Sequence, residues 1–262
     1  MEKYYMQSLN DLRLAVLIDA DNVPFSNVKG MMEEIARYGT PTFKRIYGDW
    51  TRPTISGWKS VLLENAITPI QQYGYTKGKN STDSAMIIDA MDILYSGKVD
   101  GFCIVSSDSD FTRLAIRLRE AGMKVIGIGE RKTPNPFIVA CDKFIDLEII
   151  SSSSPESTPP PAKAIKKKTP DKRKNDETNN IEKMRHDVVS LISTSITDLA
   201  DENGWAFLGD VGNLILKKKP DFDPRLFGYQ KLTPLIKALE KFEIDVRDTG
   251  QYHIKHIFIR NK

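Results

Sequence analysis

The stretch LAVLIDADNVP, residues 14–24, begins with five apolar residues and then carries two aspartates one position apart. A second stretch, GFCIVSSDSDF at residues 101–111, repeats the pattern, with an apolar run followed by Asp108 and Asp110. Continuous apolar runs of this kind are typical of strands buried on both faces of a parallel sheet. Carboxylates repel one another and resist burial, so their pairing at two strand ends needs a physical reason.

Around these two stretches, β-rich runs alternate with helical patterns about six times. The strand-like runs lie at residues 12–18, 42–48, 68–74, 101–107, 124–130 and 143–149, and the helix-like patterns at 28–38, 55–66, 81–95 and 111–122. Such alternation indicates right-handed βαβ crossovers. It predicts an α/β domain over residues 1–150, with a mainly parallel sheet covered by helices on both faces.

The composition changes sharply after this domain. Ser, Pro, Lys and Asn replace almost all apolar residues over 151–180, which predicts a flexible linker. Residues 181–262 then show three helical patterns followed by two strand-like runs around a Gly turn. This order predicts a second, α+β domain of the winged-helix type.

The overall composition excludes several classes of protein. The 262 residues are 40% hydrophobic and 28% charged, which are ordinary globular values. The net charge of +3 is too close to balance to indicate a partner, and the two cysteines form no metal-binding motif. The N-terminus lacks the apolar stretch of a signal peptide, and no run approaches a membrane span. We therefore expect a cytoplasmic protein that does not bind membranes.

The paired aspartates are expected to meet in space. In an open parallel sheet, ligands bind beyond the carboxyl ends of the strands, where the strand order reverses. Asp19, Asp21 and Asn22 follow one apolar run, and Asp108 and Asp110 follow the other. If the two strands are neighbours, the four carboxylates converge.

Asp83 is a third contributor, in the first turn of a predicted helix. Helical spacing places it on one face with Met86 and Ala90, so packing that face on the sheet brings Asp83 to the rim. Asp89 lies about 120° away at 3.6 residues per turn. For Asp89, a structural hydrogen-bonding role is favoured over metal binding.

A hard divalent cation explains the clustered carboxylates, because a cation offsets their repulsion. Ligation by oxygen alone favours Mg²⁺ or Mn²⁺ over zinc. The first domain has no histidine, so an imidazole general base is excluded there. Mg²⁺ sites commonly bind phosphate oxygens, which favours phosphate-ester chemistry with Asn22 orienting water or a phosphate.

Three motifs resemble those of NYN domains, which have the PIN-like nuclease fold of the LabA-like proteins. They are IDADN at 18–22, GKNSTDSAMIIDA at 78–90 and IVSSDSDF at 104–111, within a match over about 12–150. The resemblance implies a nuclease with Asp19, Asp83 and Asp108 as metal ligands. It also implies Asp110 as an additional or water-mediated ligand, and Asn22 as a supporting catalytic residue.

The segment at 204–239 is similar to the LOTUS, or OST-HTH, domain, a winged-helix fold implicated in RNA binding. The combination of the two families implies an RNA-directed protein, often a ribonuclease. We therefore expect a Mg²⁺- or Mn²⁺-dependent ribonuclease acting on RNA, with single strands favoured. A protein partner of the winged-helix domain remains an alternative.

Basic and aromatic residues are candidates for RNA contact, with solvated loops and core packing as the competing interpretations. The candidate cations are Lys77, Lys79, Arg131, Lys132, Lys217, Lys218 and Lys231. The candidate stacking residues are Tyr47, Trp50, Tyr73 and Tyr75, whereas Trp205, Phe207, Leu226 and Phe227 are expected in the core of the second domain.

Three alternatives stay open. Ser109 or Asp110 can serve only as a helix N-cap. A haloacid-dehalogenase-type phosphatase would use Asp19 as nucleophile and Ser106 or Ser107 on the phosphate, although the order along the chain fits poorly. A non-cleaving RNA-binding adaptor or regulatory protein would keep the fold without the reaction.

Overall fold

The computed structural model describes residues 11–73, 81–152, 173–248 and 255–262, and the chain divides into two compact units, Met1–Glu156 and Ser157–Lys262. The strands of the first unit are β1 (Arg13–Asp19), β2 (Thr40–Gly48), β3 (Thr68–Gln71), β4 (Gly101–Val105), β5 (Lys124–Gly129) and β6 (Lys143–Asp146). Its helices are α1 (Val28–Ile35), α2 (Lys59–Leu62), α3 (Ser81–Tyr95), α4 (Thr112–Glu120), α5 (Asn135–Ala140) and α6 (Leu147–Ser152).

The six strands form one sheet in the order β3-β2-β1-β4-β5-β6, and every pairing is parallel. The chain runs outward from β1 to β3 and then crosses back to β4, so the order reverses between β1 and β4. The predicted α/β domain with a parallel sheet is confirmed.

Alternate residues of β1 pack into two separate core layers. Val16 and Ile18 belong to the layer that contains residues of α1 and α6, whereas Leu17 belongs to the layer that contains residues of α3, α4 and α5. All three side chains are fully buried. Helices therefore cover both faces, as the continuous apolar runs predict.

Several predicted boundaries in the first unit are wrong. The helix predicted at 55–66 is mostly a 3-10 segment, Pro53–Trp58, followed by the short α2. The strand predicted at 143–149 ends at Asp146, because the Asp146 carboxylate accepts a hydrogen bond from the Glu148 amide at 2.8 Å and begins α6. Helix α5 was not predicted, since six residues give too short a pattern.

The second unit contains three helices and a small antiparallel sheet. Its elements are α7 (Arg173–Leu199), β7 (Ala206–Phe207), α8 (Leu208–Lys218), α9 (Leu232–Leu239), β8 (Phe242–Asp248) and β9 (Lys255–Asn261). The sheet order is β7-β9-β8. The arrangement is that of a winged helix, as predicted, although the two-residue strand β7 was missed.

The third helical pattern of this unit covers residues 226–242, but the helix in the structure is shorter, Leu232–Leu239. A 3-10 turn, Pro224–Phe227, ends at Gly228, whose φ of 81° lies in the left-handed region that favours glycine. Helix α9 begins only four residues later. The predicted Gly turn between the last two strands lies outside the described residues.

The segment predicted as a flexible linker, residues 151–180, is described only at its ends. Helix α6 ends at Ser152 and α7 begins at Arg173, so helix extends into both ends of that segment. Residues 153–172 are outside the described ranges. In the described parts of the chain, no helix has the length and hydropathy needed to cross a membrane.

Packing on β1 predicts a large stability effect at Leu17. Leu17→Ala removes a fully buried side chain from β1, an inner strand of the sheet. We therefore expect the free energy of unfolding of the first unit to fall by about 3 kcal/mol. Leu63→Ala is the matched control, because Leu63 is 89% exposed and its loss should change stability by less than about 0.5 kcal/mol. Urea denaturation in a Trp205→Phe background, which leaves Trp50 and Trp58 as reporters, measures both. Equal midpoints for the two variants would contradict the packing described here.

Candidate metal centre

Asp19 lies at the end of the strand next to the reversal of strand order. Strand β1 pairs with β4 in a register that places Ile18 beside Val105, so the residues that follow both strands share one edge of the sheet. The predicted adjacency of the two aspartate-bearing strands is therefore confirmed. The Asp19 side chain is only 1% exposed, which is unusual for a carboxylate.

Three hydrogen bonds hold the buried Asp19 carboxylate. The Asp21 amide donates to Oδ1 at 3.1 Å, and the Asn22 side-chain amide donates to Oδ2 at 2.5 Å. The Ser106 hydroxyl donates to Oδ2 at 3.0 Å. Burial raises the pKa of Asp19, and these bonds oppose the shift by favouring the charged form. Asn22 was predicted to orient water or a phosphate, but in the structure its side chain donates to Asp19.

Ser106 connects the two aspartate-bearing segments. Its fully buried hydroxyl donates to Asp19 and accepts a hydrogen bond from the Asp108 amide at 3.1 Å. The neighbouring Ser107 hydroxyl instead accepts from the Glu130 amide at 2.9 Å. The sequence prediction considered both serines only as phosphate contacts. The position of Ser106, a small polar residue directly after the buried strand β4, is the sequence feature that could have predicted this role.

Asp108 also shapes the loop in which it lies. Its Oδ1 accepts a hydrogen bond from the Asp110 amide at 2.9 Å, which caps the 3-10 turn Ser109–Phe111 ahead of α4. The capping residue is thus Asp108 rather than Ser109 or Asp110, and the N-cap alternative was wrong about the residue. The cap turns the chain so that Asp108 and Asp110 lie on the same side.

Asp83, Asp108 and Asp110 form a compact acidic group. One oxygen from each carboxylate lies within 4.8 Å of the others. Asp83 is in the first turn of α3, and Met86 and Ala90 of the same helix are fully buried, as predicted. An octahedral ion with Mg–O bonds of about 2.1 Å has opposite ligands about 4.2 Å apart, so small side-chain movements bring this group around one ion.

Electrostatic repulsion within this edge is visible at Asp83. Partial burial, and next the charges of Asp19 and Asp108, raise the pKa of the Asp83 carboxyl to about 6. Asp110 and the exposed Asp21 contribute in the same direction. Asp19 is outside the group of three carboxylates, yet its charge is the largest electrostatic contributor at Asp83. The described donors are all oxygens, which suits Mg²⁺ or Mn²⁺.

Asp89 has the structural role favoured by the sequence. Its carboxylate accepts hydrogen bonds from the Arg45 guanidinium and from the Tyr47 hydroxyl. Of the two interpretations of Tyr47, the structure supports core packing rather than base stacking, because its ring is fully buried in the layer with α3 and α4. Burial, together with the Asp89 bond, raises the pKa of Tyr47, so the phenol stays protonated.

The other predicted stacking residues differ in exposure. The Trp50 indole donates to the Ile70 carbonyl at 3.0 Å, and its ring is partly exposed after β2. Tyr73, after β3, is 52% exposed. Both follow strands on the same edge of the sheet as Asp19. Tyr75 lies outside the described residues.

Several predicted cationic contacts form ion pairs. Arg131 lies 3.4 Å from Asp146, Lys132 lies 2.7 Å from Glu130, and Lys218 lies 2.7 Å from Asp198. Asp146 is buried, whereas the pairs of Lys132 and Lys218 are more exposed, and exposed pairs contribute little to stability.

The remaining predicted cations are less constrained by the structure. Lys217 and Lys231 are exposed, and Lys217 is in the last turn of α8, where a cation is also favoured by the helix dipole. Lys77 and Lys79 lie outside the described residues. The RNA contacts of all seven cations stay predictions.

The raised pKa of Asp83 predicts pH-dependent metal binding. Below pH 6 a proton on Asp83 competes with the cation, so the increase in melting temperature caused by Mn²⁺ should grow from pH 5 to pH 7 and then level off. Without metal the sign is opposite: the folded state retains this proton up to a higher pH than the unfolded state, so Asp83 makes stability fall between about pH 4 and 6.

Asp83→Asn should remove most of this dependence, because the amide does not titrate. Asp92→Asn, on the exposed surface of the same helix, is the matched control and should behave as wild type. Melting curves at pH 5, 6 and 7.5, with and without Mn²⁺, make the comparison. A metal response that is independent of pH in the wild type would refute the prediction.

Comparisons with known proteins agree with this architecture. The NYN domain profile matches residues 13–148, and the OST-HTH/LOTUS domain profile matches residues 179–254. No functionally curated protein matches the chain significantly.

Two solved structures are among the similar proteins. One is a crystal structure of a Vibrio parahaemolyticus protein of unknown function, with 22% identity and a TM-score of 0.44, covering 53% of this chain and 94% of that one. The other is a solution structure of an uncharacterised Nitrosomonas europaea protein, with 31% identity and a TM-score of 0.25, covering 42% of this chain and 91% of that one.

The family match spans the whole parallel sheet, from β1 to β6, and so includes Asp19, Asp83, Asp108 and Asp110. NYN domains are part of the PIN-like nuclease superfamily, which associates this acidic edge with nucleic-acid chemistry. The second match begins within α7 and covers most of the winged helix. The chain belongs to the NYN domain family and carries an OST-HTH/LOTUS domain after its NYN domain.

Proposed function

We propose that this protein is a Mg²⁺- or Mn²⁺-dependent ribonuclease that hydrolyses phosphodiester bonds in single-stranded RNA, and that its OST-HTH/LOTUS domain binds the same RNA. One observation carries the proposal: three carboxylates from two different segments come within 4.8 Å of one another beside the buried Asp19. Such an arrangement is electrostatically unfavourable without a cation, so it favours a metal-dependent function.

The ion would be held by Asp83, Asp108 and Asp110, with Asp19 behind them. When bound, it supplies Lewis-acid polarisation of a phosphoryl oxygen and lowers the pKa of a coordinated water. Its charge also offsets the repulsion that raises the pKa of Asp83. At neutral pH, above its pKa of about 6, the Asp83 carboxylate is mostly ionised and available as a ligand.

The protein's own contribution is to hold these carboxylates rigidly. The Asn22 amide and the Ser106 hydroxyl both donate to Asp19 Oδ2 and so fix its carboxylate. The cap formed by Asp108 fixes the loop that carries Asp110. Preorganised charges cost little reorganisation when the substrate phosphate arrives. All three histidines of the chain lie beyond residue 180, so an imidazole is not the acid or base in this domain.

Single-stranded RNA is the favoured substrate because of the aromatic residues at this edge. Trp50 is held by its indole hydrogen bond, and Tyr73 is more than half exposed. Unpaired bases stack on such rings, whereas bases in a duplex are already stacked. The OST-HTH/LOTUS domain supports RNA as the nucleic acid.

The phosphatase alternative fits the contacts of Asp19 poorly. A nucleophilic carboxylate needs an accessible oxygen, but Asp19 is 1% exposed and accepts three hydrogen bonds. The Ser106 hydroxyl is committed to Asp19 and to the Asp108 amide rather than to a phosphate. These contacts favour a role in which Asp19 supports the metal ligands with its charge, rather than one in which it attacks a phosphate.

Cleavage of labelled single-stranded RNA tests the proposal directly. We expect the wild type to cleave with Mn²⁺ or Mg²⁺ and not with EDTA. Asp19→Asn and Asp83→Asn should each lower the rate about 100-fold or more, because each removes a negative charge that stabilises the bound cation. Asp92→Asn should cleave like the wild type. Cleavage that persists in EDTA or in both site variants would refute the metal-dependent mechanism. RNA binding without cleavage by any form would favour the adaptor function instead.

Ser106 should act as a positioning residue. Ser106→Ala removes one hydrogen bond to Asp19 and the acceptor of the Asp108 amide, so Mn²⁺ affinity should fall about tenfold. Ser107→Ala is the matched control, because its hydroxyl contacts the Glu130 amide rather than the acidic group. Mn²⁺ titration by electron paramagnetic resonance measures both variants. An unchanged affinity in Ser106→Ala would show that the connection is only structural.

A further inference from the structure

The sheet of the second unit exposes aromatic rings that its core does not use. Ala206 and Ile259 are buried in the core of this unit. Successive side chains of a strand point to opposite faces, so Phe207 and Phe258, which are paired across β7 and β9, lie on the outer face. The prediction that Phe207 is a core residue is therefore wrong, because the short β7 turns its ring outward.

Trp205 and two arginines complete this outer face. The Arg247 guanidinium carbon lies 4.0 Å from the Phe258 ring centre and 5.6 Å from that of Trp205. The Arg260 guanidinium carbon lies 4.8 Å from the Trp205 ring centre. We call the five residues Trp205, Phe207, Arg247, Phe258 and Arg260 the aromatic face. The expectation that Trp205 is a core residue is also wrong.

A hydrogen-bonded turn holds the backbone of Trp205 in place. The Asp201 carboxylate accepts hydrogen bonds from the amides of Asn203 and Trp205, both at 2.9 Å, and the Asp201 amide donates to the Trp205 carbonyl. Gly204, with a φ of 80°, permits this tight turn. The turn leaves Trp205 partly exposed.

The charges on this face are balanced. Arg247 forms an ion pair with Asp245 at 2.8 Å, and Arg260 pairs with Glu243. The carboxylates hold the guanidinium planes over the rings and cancel most of their long-range attraction for phosphate. A ligand of this face is therefore recognised by flat π-surfaces and short hydrogen bonds rather than by net charge.

We propose that the aromatic face is a binding site for the unpaired bases of single-stranded RNA. The inference rests on the proposed function in that it assumes that this domain binds RNA. Rings and guanidinium planes on an open sheet are suited to base stacking. Asp245 and Glu243 interrupt the apolar area, and such carboxylates are depleted in protein interfaces, which disfavours a protein partner here.

The pairing of both arginines with carboxylates predicts how RNA binding depends on salt. Binding through phosphates releases counterions, so its affinity falls with salt in proportion to the number of contacts, whereas stacking does not. Removing Trp205 should weaken RNA binding without changing the salt slope. Removing Lys217 and Lys219, which are exposed near the end of α8, should reduce the slope if they contact phosphates.

The experiment uses the full chain in EDTA, with fluorescently labelled single-stranded RNA and matched RNA that carries abasic sites. The abasic strand retains its phosphates but offers no bases for stacking. We expect the wild type to bind intact RNA about tenfold more tightly than abasic RNA, and Trp205→Leu to lose most of this difference. Trp205→Phe should restore it in part, and melting curves confirm that the variants are folded.

The outcomes separate this inference from the proposed function. If the wild type binds intact and abasic RNA equally, or if Trp205→Leu keeps the difference, the aromatic face is not the base-binding site. Dependence of cleavage on Asp19 is measured independently, so the ribonuclease proposal can survive that result. Conversely, a difference that is lost in Trp205→Leu supports the base-binding site even if no variant cleaves RNA.

Discussion

The burial of Asp19 between the ends of two parallel strands is the constraint on which the rest of the acidic edge depends. A carboxylate that is almost fully removed from water is costly unless hydrogen bonds or a cation satisfy it. Here the Asn22 amide and the Ser106 hydroxyl reach it from two different segments. Because β1 and β4 are neighbours, the same contacts that satisfy Asp19 also fix the loop that carries Asp108.

This arrangement links stability to function at one place in the fold. The buried Asp19 contributes negative charge behind the more accessible Asp83, Asp108 and Asp110, and Asp83 responds with a raised pKa. The apolar layers on both sides of the sheet fix the strand ends, so the backbone keeps the carboxylates at one edge and only their side chains can adjust. A cation offsets this repulsion without any movement of the backbone, which is why the geometry favours a metal-dependent reaction.

The two units offer different kinds of chemistry to a nucleic acid. The NYN unit brings three carboxylates together at one edge, a donor set that suits a divalent cation and, through it, phosphate oxygens. The outer face of the OST-HTH/LOTUS unit has paired charges and rings in contact with guanidinium groups, the features on which the proposed base-binding site rests. The two proposed surfaces therefore use separate physical interactions, one with the phosphates of a nucleic acid and one with its bases.

Local pattern in the sequence determined the element types, the parallel sheet and the identity of the acidic residues. Apolar runs, helical spacing and the position of Asp83 in a first turn are properties of neighbouring residues, so they can be read without coordinates. Tertiary structure alone decided how those residues are used. Strand order and register join segments that are far apart in the chain. They decide the buried hydrogen bond between Ser106 and Asp19 and the contacts of Asp89 with Arg45 and Tyr47. They also decide that the rings of Trp205 and Phe207 face outward.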